Sequence, residues 1–312
     1  MGPGVDNQSC LLWITCVPAD PMPPAEAEIT EDLVRDLLAE QHPDLSDREL
    51  RFENEGWDSA IYRLGADLAV RLPRRAINAA LVPVELRWMP ELALRLPLPV
   101  SAPVRAGQPG CGFPWPWSIT PWFDGASWAD ADVDDPVETA NALGAFVRAL
   151  AIDAPDEAPT SPYRGGPIID RDPAFRDRVV QLGETIDTGA VVKVWEAALA
   201  APPATRRVWV HGDLHPANIV VHRGQLAAVI DWVDLNAGDG SYDLAAAWMC
   251  FADRAARQAF IAAVAEADEA TWVRARGCAL SHAIACLASS ADNRRMHEVG
   301  QRTLDAVLSD RP

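Results

Sequence analysis

The sequence predicts an α+β protein of two lobes, a small antiparallel β-sheet with a helix followed by a larger, mostly helical lobe. Three observations predict it. Between residues 50 and 122 apolar residues alternate in short runs separated by turn residues. From residue 132 they recur at helical spacing. One strand–loop–strand block, residues 208–230, interrupts that helical region. A sheet lobe joined to a helical lobe by a short crossing leaves a cleft at the join, a common place for a ligand. Residues 1–24 are expected to form a disordered extension, 25–122 the first lobe and 123–312 the second.

Taken in order, residues 18–24 are proline-rich and carry no periodic pattern, and Met22 precedes the first convincing helix, so the first 21 residues read as an over-extended start. Ile29, Leu33, Leu37 and Leu38 fall at helical spacing behind Thr30, a good N-cap. Strands follow at 50–52, 60–64 and 68–72, the last two joined by the turn Gly65-Ala-Asp67. Residues 78–96 return to a helical pattern, with Pro83 and Pro90 as expected interruptions. Further strands are expected at 100–105 and 117–122. In the second lobe a helix is expected within 132–150, a hairpin turn at 222–225, long Ala-rich helices through 242–287, and a last helix over 292–308.

Composition narrows the classes. With 312 residues, 49% of them hydrophobic, the chain is long enough for two real cores. A net charge of −18 argues against nucleic acid or an anionic membrane as partner, and it reads first as a solubilising surface, second as an acidic pocket for a cation. No apolar run reaches the ~18 residues of a membrane span. The six cysteines form no C-x-x-C pair, and Cys250, Cys278 and Cys286 lie in apolar helical stretches, so a reduced, cytoplasmic setting is expected. A single lysine, Lys193, stands among 27 basic residues, so lysine-dependent chemistry has one candidate.

The chemistry concentrates in His211-Gly-Asp-Leu-His-Pro-Ala-Asn218 and in Asp231, at the end of the next strand. The kinase catalytic-loop pattern H-x-D-L-x-x-x-N is met by His211, Asp213, Leu214 and Asn218. Asp213 suits a base facing a hydroxyl. An amide oxygen (Asn218) plus a carboxylate (Asp231) suits Mg²⁺ on nucleotide phosphates, with phosphate and water completing six-fold coordination. Asp213 and Asn218 taken singly would be turn formers. Histidines 211 and 215 admit a zinc-hydrolase reading, but three or four ligands would be needed and only His222 is near. His211 fits better as a brace for the loop backbone.

These residues, with Ile230-Asp-Trp232 and Gly238-Asp-Gly-Ser-Tyr-Asp-Leu-Ala245, resemble the aminoglycoside phosphotransferase family, small-molecule kinases with a protein-kinase-like fold. The resemblance extends loosely over residues 25–310. It implies Asp213 as the catalytic residue, Asn218 and Asp231 as magnesium ligands, and Asp243 as a loop brace. It makes the first lobe a nucleotide lobe, with Gly56, Trp57, Asp58 and Ser59 covering the phosphates and Thr120, Pro121 and Phe123 receiving adenine. The family's phosphate-binding lysine is replaced by Arg71, with Glu85 as its expected partner; without that setting the pair would read as a surface ion pair. Trp115, Trp117 and Trp122 are expected to pack the sheet and cleft wall. The implied co-substrate is ATP, or GTP. The implied acceptor is a small-molecule hydroxyl, with aminoglycosides, macrolides, choline, homoserine and sugars among the family's substrates. Asp234 and Asp239 are acceptor-site candidates, and Asp253, Glu266, Asp268, Glu269, Asp292 and Glu298 stud the later helices. A nucleotide-binding protein with little catalysis is the alternative, given the missing lysine.

Overall fold

The Thr30 hydroxyl accepts the Leu33 amide at 3.2 Å and so starts α1 (Glu31–Gln41), which buries Val34, Leu37 and Leu38. In the computed structural model, residues 23–161, 164–290 and 293–310 are described. The expected N-terminal extension lies almost wholly outside these, as do Cys10, Cys16 and Asp292.

Behind α1 stands a five-stranded antiparallel sheet ordered β1-β2-β3-β5-β4. Its strands are β1 (Leu50–Glu55), β2 (Ser59–Leu64), β3 (Leu68–Pro73), β4 (Arg105–Gly107) and β5 (Trp117–Pro121). Between β3 and β4 run α2 (Ala76–Ala79) and α3 (Val82–Ala93). Two expectations are corrected here. Pro83 sits in the first turn of α3, where its missing N–H costs nothing, and α3 runs through Pro90; the break falls at residues 80–81 instead. The strand expected over residues 100–105 is displaced to β4. Val100 bridges Val229 in parallel, and Ser101 donates to the Val229 carbonyl at 3.3 Å, so that segment stitches the two lobes together.

The second lobe contains β6 (Ala126–Ser127), α4 (Pro136–Leu150), α5 (Asp172–Leu182) and α6 (Thr188–Ala200), then β7 (Val208–Val210), β8 (Ile219–His222), β9 (Gln225–Val229) and β10 (Asn236–Gly238). β8 and β9 form the expected hairpin, with β6 on its edge, while β10 pairs with β7. The Ala-rich stretch divides into α7 (Ser241–Leu244), α8 (Ala246–Met249), α9 (Arg254–Ala263) and α10 (Glu269–Ser289) before α11 (Arg294–Ser309). Asp253 and Asp268 cap α9 and α10, which is why the helices restart there. Helix α10 is buried along most of its length, against α5, α6, α7 and α11.

Each lobe has its own core. Leu37, Leu64, Leu72, Trp117 and Ile119 anchor the first, and Phe146, Phe175, Trp195, Trp232 and Phe260 the second. The larger core reaches back to Met89 and Leu92 of α3, and Trp88 packs on Trp209 at 5.0 Å between rings. The join between the lobes is therefore apolar at its back and polar at its mouth.

Candidate functional site

The loop between β7 and β8 is held from beneath by Asp243 of α7. Its two oxygens accept the His211 amide at 2.7 Å and the Gly212 amide at 2.9 Å. Gly212 has φ +84°, and a Cβ there would stand 2.7 Å from the Asp234 carbonyl, so only glycine fits. The His211 ring accepts the Asp213 amide at Nδ1 (3.3 Å) and lies 3.0 Å from the Ile230 carbonyl at Nε2. A carbonyl only accepts, so the proton sits on Nε2, and the ring ties the loop to the strand end carrying Asp231.

His215 shows the same logic. Nδ1 accepts the Ala217 amide at 3.2 Å, which leaves Nε2–H to donate to Asp213 Oδ2 at 3.2 Å. Asn218 donates through Nδ2 to the Asp213 carbonyl at 2.9 Å, which fixes the amide plane and leaves Oδ1 for another ligand. Burial alone would raise the Asp213 carboxyl, but Arg164 first and then His215 hold it well below the usual carboxylate range.

Asp231 closes the constellation from the far side of the hairpin. Its φ of +65° is a left-handed conformation that aspartate tolerates better than most residues, the kind of outlier that gathers at functional sites. Arg71 reaches across from β3, donating through Nη1 to Glu85 at 3.1 Å and through Nη2 to Asp231 at 3.0 Å. The Arg71 and Glu85 side chains are only 10% and 5% exposed, so the pair is a buried strut between lobes rather than a surface contact. Burial raises the Glu85 carboxyl against the opposing pull of Arg71.

The loop between β1 and β2 overhangs this cluster. The Gly56 amide donates to the Ser59 carbonyl at 3.0 Å, so it closes the turn and is not open to a phosphate. Trp57 is exposed, and its amide and that of Asp58 make no bond among the described residues. Asp58 faces the cleft and bonds Asn78; burial, with Asp231 and Asp234 adding repulsion, pushes its carboxyl up to about 7. On β5 Thr120 is buried, and the Trp122 amide donates to the Asp67 carbonyl at 2.8 Å. The Pro121 carbonyl and the Phe123 amide flank that bond. Trp117 is fully buried and Trp115 packs beside it, while Trp122 lies under the Arg63 guanidinium.

The acceptor-side expectations divide. Asp234 lies beside the cluster. Asp239 does not serve there: it accepts from Arg274 Nε at 2.7 Å and from the Ser241 amide at 3.0 Å in a buried structural pair. Sequence reasoning missed Arg164, whose Nη2 stands 2.8 Å from Asp213 Oδ1 and whose Nε stands 3.5 Å from Asp234. It also missed His282 of α10, 5.0 Å from the His215 ring and held neutral by burial, its pKa pushed down to about 3. The Gly-Gly pair after Arg164 was the available signal, since such a pair marks a sharp turn. Among the described residues no three His, Cys, Asp or Glu side chains gather as a metal cluster.

A sheet lobe, a helical lobe and an Asp/Asn/Asp crevice at their join define a protein-kinase-like fold. Solved structures that share it include the following three. The GDP complex of wild-type aminoglycoside 2'-phosphotransferase-IIIa superposes with a TM-score of 0.68 at 18% identity, covering 90% of this chain and 99% of that one. The macrolide 2'-phosphotransferase MphH from Brachybacterium faecium, as apoenzyme, gives 0.57 at 24% identity over 90% and 98%. ADP-bound aminoglycoside phosphotransferase APH(2'')-Ib gives 0.56 at 16% over 89% and 99%. At these identities the likeness is one of fold. No curated protein matches the sequence. The family itself is settled by its own model, which matches residues 49–278: the chain belongs to the phosphotransferase enzyme family, APH.

Proposed function

We propose that this chain transfers the γ-phosphoryl group of ATP or GTP to a hydroxyl of a small molecule, with Asp213 facing the acceptor. One observation carries the reading. A short loop brings the Asp213 carboxylate and the Asn218 amide together, and Arg71 joins Asp231 at the same crevice. The acceptor oxygen bonds to the γ-phosphorus as the bond to the β–γ bridging oxygen breaks. The hydroxyl proton passes to Asp213, and the nucleoside diphosphate leaves with the electron pair. A depressed carboxyl is a weak base, which suits a loose transition state in which the proton leaves late and positioning dominates.

The donor set fits Mg²⁺, because Asn218 Oδ1 is left open by its Nδ2 bond and Asp231 follows Ile230, whose amide donates to the Asn218 carbonyl across the hairpin at 2.9 Å. Bound there, the ion would neutralise charge on the β and γ phosphates. Arg71 supplies the fixed positive charge that a lysine gives in other members. The amides of Trp57 and Asp58, with Ser59, would cover the phosphates, and the Pro121 carbonyl and Phe123 amide would take the adenine edge. No helix among the described residues is long and apolar enough to cross a membrane.

The test is nucleotide consumption by the purified protein across panels of aminoglycosides, macrolides, amino alcohols, sugars and hydroxy acids. Acceptor-dependent consumption is expected, with Asp213→Ala abolishing turnover while nucleotide binding persists. Undiminished turnover in that variant would remove the assignment.

A further inference from the structure

In a chain of net charge −18 an arginine stands against Asp213. Arg164 stands 2.8 Å from Asp213 and 3.5 Å from Asp234, its side chain 28% exposed. Its backbone is locked in place. Its amide donates to the Ser161 hydroxyl at 3.1 Å. The next residue, Gly165, has φ +72°, and its carbonyl accepts the Asp239 amide at 2.8 Å. Gly165 also passes so close to Gly238 that a Cβ on Gly238 would stand 2.3 Å from that same carbonyl oxygen.

A second guanidinium serves the same corner. Arg171 donates through Nε to the Tyr242 hydroxyl at 2.9 Å and lies 5.5 Å from the Tyr242 ring. Arg171 is partly buried, and among the described residues no carboxylate forms an ion pair with it. Tyr242 is next in the chain to Asp243, which holds the loop carrying Asp213, so Arg171 is tied to the element that positions that loop.

Of the carboxylates that would greet a polycation, Glu266 and Glu269 are exposed at the start of α10 and several others are engaged. Asp239 is buried on Arg274, Asp253 and Asp268 cap helices, and Glu298 pairs with Arg294 on the surface. Asp234 is met by Arg164, and Asp231 by Arg71.

We propose that the acceptor carries an oxyanion, a carboxylate or a phosphate ester, close to its reactive hydroxyl, and that Arg164 and Arg171 bind it. This rests on the kinase reading above and names its substrate class. The planar fork of arginine matches both oxyanions. When the oxyanion takes Arg164, the guanidinium leaves Asp213 Oδ1 free for the hydroxyl. Binding of the acceptor and exposure of the carboxylate thus become one event.

The test uses the full chain saturated with Mg-AMP-PNP, so that the place of the nucleotide's phosphates is filled. Glycerate, glycerol 3-phosphate and uncharged glycerol are titrated at matched ionic strength by calorimetry. At least one anionic probe is expected to bind saturably while glycerol does not, and the one that binds tells carboxylate from phosphate. Arg164→Met/Arg171→Met should lose about tenfold or more in affinity, with Arg164→Lys/Arg171→Lys intermediate and Mg-AMP-PNP binding retained as proof of folding. Asp213→Asn removes the competitor for Arg164 and should tighten anion binding by a few-fold, which a merely structural arginine would not do. The proposal is overturned if neither anion outbinds glycerol, if the double Met variant binds as the parent does, or if Mg-AMP-PNP displaces the anion. Loss of Mg-AMP-PNP binding in the parent, or full ATP turnover by Asp213→Asn, would instead sink the kinase reading.

Discussion

At the scale of single residues, the site depends on groups whose protonation is set by their neighbours. Asp213 is kept ionised by Arg164 and by His215 Nε2–H despite its burial. Asp213→Asn keeps the shape and loses the base, so the rate with the acceptor should fall by about 10²–10⁴-fold, measured at saturating nucleotide. Asp58 behaves in the opposite way. Its carboxyl rises from an ordinary 3.8 to about 7, so the folded protein binds this proton more tightly than the unfolded chain does. The stability it lends is complete below pH ~3.8 and is lost as pH rises through about 7. Asp58→Asn should therefore be more stable than the parent at pH 8, by roughly 2 kcal/mol after allowing for solvent at the cleft mouth. That advantage should shrink toward pH 4. Thermal melts across that range check it, and a constant difference would exclude Asp58 as the titrating group.

At the scale of elements, the catalytic-type loop is rigid because α7 holds it by two charge-assisted bonds. Asp243→Asn would point an NH₂ at one of two backbone N–H groups, leaving a buried donor without an acceptor at a cost of about 1–3 kcal/mol. Denaturant melts should show that loss, together with slower turnover, because the loop also carries Asp213. Gly212→Ala meets the Asp234 carbonyl at 2.7 Å and requires φ +84°, so a penalty of about 1–3 kcal/mol is expected from the same measurement. Neither variant touches the nucleotide lobe directly, so Arg71 and the loop at residues 56–58 should keep their contacts.

At the scale of the whole molecule, one polar network crosses between the lobes. Arg71 is shared between Glu85 of α3 and Asp231 of the second lobe, while Met89, Leu92 and Trp88 pack α3 onto the larger core. Removing the guanidinium strands a buried carboxylate, so Arg71→Met should cost about 3–5 kcal/mol. Glu85→Gln, which keeps a polar partner, should cost less. Mg-nucleotide at a hundredfold excess over its Kd should raise stability by about 2.7 kcal/mol in the parent protein. That gain should be smaller in Arg71→Met, because the arginine is a proposed phosphate ligand as well as a strut. Equal ligand stabilisation in both proteins would confine Arg71 to the structural part.

Local spacing determined a good deal by itself. The cap at Thr30, the switch to strand period at Leu50, the hairpin turn at residues 222–225 and the acid–amide pair Asp213/Asn218 all depend on neighbours within a few residues, and a linear reading captures such patterns. Pro90 inside α3 and the strand shifted from residues 100–105 to β4 were misread, because packing against the larger core and pairing with Val229 override local preference there. What a carboxylate does depends on which cation reaches it. Asp239 and Asp234 look alike in the chain, yet Arg274 buries one and Arg164 holds the other at the cleft. Arg164 stands 2.8 Å from Asp213, and its part at the site came only from the close crossing of Gly165 over Gly238. Electrostatic partners meet through folding, so the sign of charge beside Asp213 was decided by the tertiary structure alone.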